Sequence, residues 1–402
     1  MTKMAPLILN DDKMIIKMLE LEEIIRGEIE ASGPMTFARF MELALYHPEY
    51  GYYASGRVRI GKEGDFYTNP HMGPVFGRML AETFLKMRES LSGDAVFVEA
   101  GAGEGWFARD FLEGLRLLHP GDFARQRYII VERSEALRKR QMQTLGGLCA
   151  KVEWCESIEE LGPGLRGVIF SNELIDAMPF HRVRQERDAL REVYVTLGDG
   201  GFAEVTGRLS TPDIPRYFNR IMVILEEGTT TEVNLAGPEW IAKAAEALSE
   251  GFIITIDYGY TAEEYYAPER KEGTFLCYHS HATNTDPYSL IGEQDITAHA
   301  DFSSLAQSGR LHGAEPVLFT DQTSFLLESI GWLEASMRAA GAGQEEMVEA
   351  AMGMKSLVHP EWMGGAFKAL VQAKGVSGFD LYGRTRNLAS TLLTGQRALE
   401  PR

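Results

Sequence analysis

The chain has 402 residues, 45% of them hydrophobic and 24% charged, enough apolar mass for one large α/β domain with insertions or two domains of ordinary size. Its formal charge of −18 repels nucleic-acid phosphate at long range, which disfavours a nucleic-acid substrate and suits a basic protein segment better. Cys149, Cys155 and Cys277 form no C-x-x-C pair, and neither a run of about 18 apolar residues nor a basic-then-apolar leader is visible, so the expectation is a cytoplasmic protein without a disulfide framework, zinc site or membrane span.

Between Lys13 and Glu30, Met14, Met18, Leu21, Ile25 and Ile29 recur at three- and four-residue steps, the pattern of a helix with one buried stripe. Thr36 is placed to cap a second helix that runs to about Tyr46 and stops at His47-Pro48, because the residue before proline disfavours α geometry. The segment Gly64-Asp65-Phe66-Tyr67-Thr68-Asn69-Pro70 mixes turn formers with aromatics; it reads either as a structured surface loop or as the roof of a pocket. Gly73-Pro74 then precedes a helix containing Phe76, Met79, Leu80 and Phe84. Residues 1–90 are thus expected to form a helical extension with a pocket-roofing loop.

From Asp94 onward, short apolar runs alternate with helical segments: Val96-Phe97-Val98, Tyr128-Ile129-Ile130-Val131, Gly167-Val168-Ile169-Phe170 and Gly251 to Ile256. Strands buried on both faces read this way, so the fold class is α/β, doubly wound around a mostly parallel sheet, with ligands expected beyond the carboxyl ends of the strands. Glu192 to Thr206 reads as a hairpin around Gly198-Asp199-Gly200-Gly201, inside an insertion expected at about 190–250. Phe367 to Lys374 alternates like a last strand. The core is expected to span 91–378, and 379–402 to be a loosely held tail.

The first of these strands runs into Glu99-Ala100-Gly101-Ala102-Gly103-Glu104-Gly105, and a helix begins at Trp106. Glycines here permit close backbone approach to a ligand and a sharp turn into the helix, but Gly101, Gly103 and Gly105 have Gly-x-Gly-x-Gly spacing, not the Gly-x-Gly-x-x-Gly of a dinucleotide fingerprint. The flanking Glu99 and Glu104 suit a cationic ligand better than a pyrophosphate, which points to S-adenosyl-L-methionine, with its ammonium and sulfonium. Glu132, after the second strand, is placed to accept hydrogen bonds from the ribose hydroxyls.

The third strand ends Ser171-Asn172-Glu173-Leu174-Ile175-Asp176-Ala177-Met178-Pro179. Asn172, Glu173 and Asp176 cannot all be satisfied by an apolar sheet, so they either cap the loop or face a ligand. A guanidinium acceptor stays protonated at physiological pH, so carboxylates must orient it and help take its proton; Glu173, Asp176 and Asp257, the last at another strand end, are the catalytic candidates. His279, His281 and His299 lack metal-ligand spacing, so no metal is assigned.

Together these segments resemble the MidA family, whose mitochondrial member is a protein arginine methyltransferase and an assembly factor for respiratory complex I. The resemblance runs in order through Gly33-Pro34-Met35-Thr36-Phe37, His47-Pro48 with Gly51-Tyr52-Tyr53, Gly64 to Pro70, Phe76-Gly77, Ser171-Asn172-Glu173 with Asp176 to Pro179, Asp257-Tyr258-Gly259, Asp295-Ile296-Thr297 with Asp301-Phe302, and Met363-Gly364 with Phe367-Lys368. It implies a seven-stranded methyltransferase core, a donor site at Gly101, Gly103 and Glu132, and the loop from Asn172 to Pro179 beside the transferred methyl. Departures fall at Ala102, Glu104, Asn69 and Leu276, where the family commonly has proline, a basic or polar residue, serine and arginine. A protein arginine acceptor is the leading reading; a small-molecule or other side-chain acceptor, and a donor-binding assembly factor without catalysis, stay open beside it.

Overall fold

Eight strands build the central sheet of this computed structural model, which describes residues 8–53, 73–187, 189–359, 363–377 and 392, the two-residue strand Ala300–Asp301 off its path and seven strands, numbered along the chain, on it. They are β1 (Val96–Ala100), β2 (Arg127–Val131), β3 (Val152–Cys155), β4 (Leu165–Asn172), β5 (Leu248–Tyr260), β6 (Glu315–Asp321) and β7 (Phe367–Lys374). Their order in space is β6-β7-β5-β4-β1-β2-β3. The pairs from β5 to β3 are parallel, whereas β7 runs antiparallel between β5 and β6. The register sets Ala100 beside Val131 and Ser171, and Asn172 beside Ile256, so the carboxyl ends of β1, β2, β4 and β5 share one rim.

Both faces of the sheet are covered. On one, Phe97, Tyr128 and Phe170 pack against Phe84 of α3 and Phe107 and Phe111 of α4; here α1 is Ile8–Ser32, α2 Phe37–Tyr46, α3 Val75–Arg88 and α4 Trp106–Leu118. Ring centroids lie 4.4 Å apart for Phe97 and Phe111 and 4.6 Å for Phe107 and Phe170. Each such side chain contributes about 1.5–3 kcal/mol by burial, with a further ~1 kcal/mol for a well-placed ring pair. On the other face, Val98, Ile129, Ile169 and Ile253 meet Ile241 and Ala244 of a crossover helix and Phe302 and Leu305 of another. With α5 at Glu135–Leu145, these two are α6 (Ala236–Ala247) and α7 (Phe302–Leu311).

Two boundaries differ from expectation. α3 lies inside the aromatic core, so the core begins at Val75 and not at residue 91. The insertion holds the antiparallel strands His181–Glu186, Ala189–Gly198, Gly201–Gly207 and Thr230–Val233, but α6 belongs to the core because its apolar face covers the sheet. The hairpin around Gly198 to Gly201 is present. The loop from Gly64 to Pro70 and the tail from 379 lie outside the described residues, except for the buried Leu392.

A roof covers the rim. Leu21, Ile25 and Ile29 of α1, the apolar face of α2, and Phe180, Val195, Phe275 and Ile296 share one cluster. The Thr36 hydroxyl accepts from the Arg39 amide at 3.2 Å and caps α2, a bond worth about 1 kcal/mol, and the helix ends at His47. Met35–Thr36 pairs antiparallel with Tyr194 and Val195, which fastens the N-terminal helices to the inserted sheet. Strands Leu276–His279, Ala282–Asn284 and Asp295–Thr297 complete the cover.

Candidate active site

Between rim and roof lies a cavity of about 950 Å³. Its floor begins at the glycine loop, where Gly101 (φ 70°) and Gly103 (φ 51°) adopt the left-handed region that favours glycine. A Cβ at Gly101 would come within 2.8 Å of Leu174 Cδ1. Gly105 does not line the cavity; it turns the chain into α4 and packs on Gln141, which corrects its assignment as a ligand contact. Glu104 accepts from Trp106 Nε1 and from Arg140 Nη1, both at 3.1 Å, so Arg140 already matches the charge expected to attract a cation.

Glu99 lies at the end of β1, 4% exposed, and its Oε2 accepts from the Tyr128 hydroxyl at 2.6 Å. Burial pushes its carboxyl up to about 8, against the pull of that bond. Glu132, after β2, is also buried: Oε1 accepts from the Ser134 amide at 2.9 Å and Oε2 from Gln141 Nε2 at 3.2 Å. Burial raises its carboxyl too, opposed by these two bonds. An open glycine floor, a carboxylate held at its edge and a second one buried beneath fit an adenosyl ligand with a cationic tail.

The β4 end supplies the next wall. Asn172 Nδ2 donates to Glu173 Oε1 at 2.7 Å; both residues line the cavity, and Glu173 holds a left-handed φ of 51° while its amide donates to Ile256 O. A non-glycine residue in that region costs about 1–3 kcal/mol, which the surrounding bonds must offset. Asp176 lines the cavity as well, and its Oδ1 is buried with no hydrogen-bond partner among the described residues. Burial first, then Asp257 and Asp295, raise its carboxyl well above the usual carboxylate range.

Asp257 requires correction. It is fully buried, away from the cavity wall, and its carboxylate accepts from the backbone amides of Ile175 (2.9 Å), Asp176 (3.3 Å) and Tyr258 (2.8 Å). Burial and then the Glu173 charge raise it to about 8. It holds the loop that carries Asp176 and does not line the cavity. The place expected for it is taken by Asp295, 2% exposed, which lines the cavity and accepts from the Tyr53 hydroxyl at 2.9 and 3.0 Å. The sequence did mark Asp295, in Asp295-Ile296-Thr297, but only as part of the family pattern.

Tyr46, Tyr53, Tyr258 and Tyr278 line the same compartment. The Tyr46 hydroxyl donates to Ala177 O at 2.8 Å, and Arg133 lies over its ring at 4.1 Å. His299 is on the wall with its Nδ1 buried and unpartnered among the described residues; burial, then Arg270, lower its imidazole to about 4, so it is neutral.

Residues 75–320 match the family described as S-adenosyl-L-methionine-dependent methyltransferases. The chain belongs to this family. Relatives of this methyltransferase include the Drosophila melanogaster protein arginine methyltransferase NDUFAF7 homolog, mitochondrial, 26% identical over 89% of this chain and 85% of the relative. The Homo sapiens protein arginine methyltransferase NDUFAF7, mitochondrial, is 24% identical over 72% and 69%. A Burkholderia thailandensis structure bound to S-adenosyl-homocysteine superposes with a TM-score of 0.82 at 31% identity, covering 93% of this chain and 97% of that one. The MidA resemblance, the α/β methyltransferase fold and the S-adenosyl-L-methionine donor therefore stand. The cytoplasmic placement does not: the curated relatives are mitochondrial by name, and a composition poor in cysteine fits any reducing compartment. No described helix is long and apolar enough to cross a membrane.

Proposed function

We propose that this methyltransferase acts on an arginine side chain of a protein partner. The observation that supports the reading is the acceptor compartment itself, where Asp176, whose buried Oδ1 has no partner among the described residues, and Asp295 share a wall with Tyr46, Tyr53, Tyr258 and Tyr278. Two carboxylates facing one chamber are costly unless a cation joins them, and a guanidinium offers paired donors in a fixed plane. Relatives named as protein arginine methyltransferases agree with it.

S-adenosylmethionine supplies an electrophilic methyl group on a sulfonium. Gly101 and Gly103 would let it approach the backbone, Glu132 would accept from its ribose hydroxyls and Glu99 would face its cationic end, while Asn172 holds Glu173 at the same wall. Asp176 and Asp295 orient the guanidinium, concentrate electron density on the attacking nitrogen and take the proton that leaves it, while the Tyr53 hydroxyl steadies Asp295. The tyrosine rings exclude water and stack on the guanidinium plane.

Incubation of the protein with labelled donor and a lysate of its own host, followed by mass spectrometry of labelled bands, tests this. Methylated arginine in a protein band is expected. Label on a hydroxyl, a thioether or a small molecule would refute the arginine reading.

A further inference from the structure

Gln141 of α5 was not singled out by the sequence, yet it joins three parts of the donor site. It is fully buried, its Nε2 donates to Gly103 O at 2.9 Å and to Glu132 Oε2 at 3.2 Å, and its Oε1 accepts from Trp154 Nε1 of β3 at 3.0 Å. Both Nε2 partners can only accept and the indole N–H can only donate, so a flipped amide would lose all three bonds. The glycine loop also rests on its backbone, since a Cβ at Gly105 would lie 3.1 Å from Gln141 Cα.

We propose that Gln141 is a positioning residue for the donor: it fixes the Glu132 carboxylate and the glycine loop at the mutual spacing that receives the ribose. The proposal rests on the reading of Glu132 as the ribose acceptor. Without the amide, Glu132 keeps, among the described residues, the Ser134 bond alone, its Oε2 is free to turn away, and the carbonyl of Gly103 loses its tie to the helix.

The test compares S-adenosylhomocysteine with its 2′-deoxy analogue by calorimetric titration. The native protein is expected to prefer the hydroxylated ligand by about ten- to hundredfold, the value of one hydrogen bond to a charged acceptor. In Gln141→Ala, affinity for S-adenosylhomocysteine should fall by about tenfold while the deoxy analogue changes by less than about threefold, so discrimination shrinks. Trp154→Phe, which removes only the indole donor, should shift the ratio the same way by less, and decides the matter if Gln141→Ala does not fold. Equal weakening of both ligands in the variants, or none, would overturn the proposal. Glu132→Gln separates the two claims: collapse of discrimination there with full discrimination in both other variants refutes the role of Gln141 alone, whereas native discrimination in Glu132→Gln refutes the ribose reading and the proposal with it.

Discussion

Raising the pH from 6 to 7.5 is expected to strengthen donor binding by about twentyfold, and Glu99 is the reason. In the free site burial holds its carboxyl at about 8, so at pH 6 nearly all molecules carry a proton there, one that must leave before Glu99 can face a cation. A sulfonium and an ammonium above it would return the group towards its ordinary value near 4.3, and the difference between the two states fixes the slope: close to one decade of affinity per pH unit until the free-site value is approached. The neighbours that bear on it are Tyr128, whose hydroxyl favours the charged form, and Glu132, whose charge opposes it. Titration of S-adenosylmethionine in two buffers of different ionisation enthalpy, kept below pH 7.5 so that the ligand's amine stays protonated, reads both the affinity and the proton released. The same linkage makes the ligand-free fold lose stability as pH rises from about 4.5 towards 8, since the native state keeps a proton that the unfolded chain has lost, so the melting-temperature gain from ligand widens with pH. A flat affinity, or an unchanged slope in Glu99→Gln, would refute the reasoning.

Other substitutions separate the two halves of the cavity. Glu132→Ala should weaken donor binding by about 2–4 kcal/mol with folding retained, as titration beside circular dichroism would show, and an unchanged dissociation constant removes the ribose assignment. Gly103→Val should abolish donor binding, since φ is positive there and a β-branched side chain resists that conformation; native affinity would make the loop purely structural. Asp176→Asn and Asp295→Asn should keep donor affinity yet slow single-turnover transfer by about 10²–10⁴, and near-native rates in both would end the carboxylate mechanism. Asp257→Asn should lower the melting temperature and slow transfer without touching donor affinity, because an amide cannot accept from the Ile175 and Tyr258 amides together; loss of donor binding would contradict its place behind the loop.

The donor half was legible because its signals are local. Strand, glycine loop and helix follow one another within a few residues, and Glu132 follows its own apolar strand directly. β3 and β6 gave weaker signals: both are partly exposed, β3 is only four residues with Glu153 inside it, and the run Val317-Leu318-Phe319 of β6 follows a proline and ends in polar residues. The acceptor half depends on distance in sequence. Tyr53 meets Asp295 across 242 residues and Tyr46 meets Ala177 across 131, and no spacing rule reveals such meetings. Asp257 misled for a related reason. An acid at a strand end reads the same whether its carboxylate faces a ligand or three backbone amides, and only the path of the loop from Ile175 to Asp176 distinguishes them.

The placement of β7 has a consequence for how the chain is made. β6 leaves the ribosome before β7, yet the two strands that β7 joins, β5 and β6, have no ladder between them until Phe367 to Lys374 has emerged. A nascent or truncated chain that stops short of that segment already has the glycine loop, Glu132 and the Asp176 loop, but it exposes two unpaired strand edges, one of them the apolar edge of β5. Such edges recruit strands from other chains. The last strand therefore closes the sheet against self-association, and a cut placed before it should yield aggregates, not a smaller enzyme.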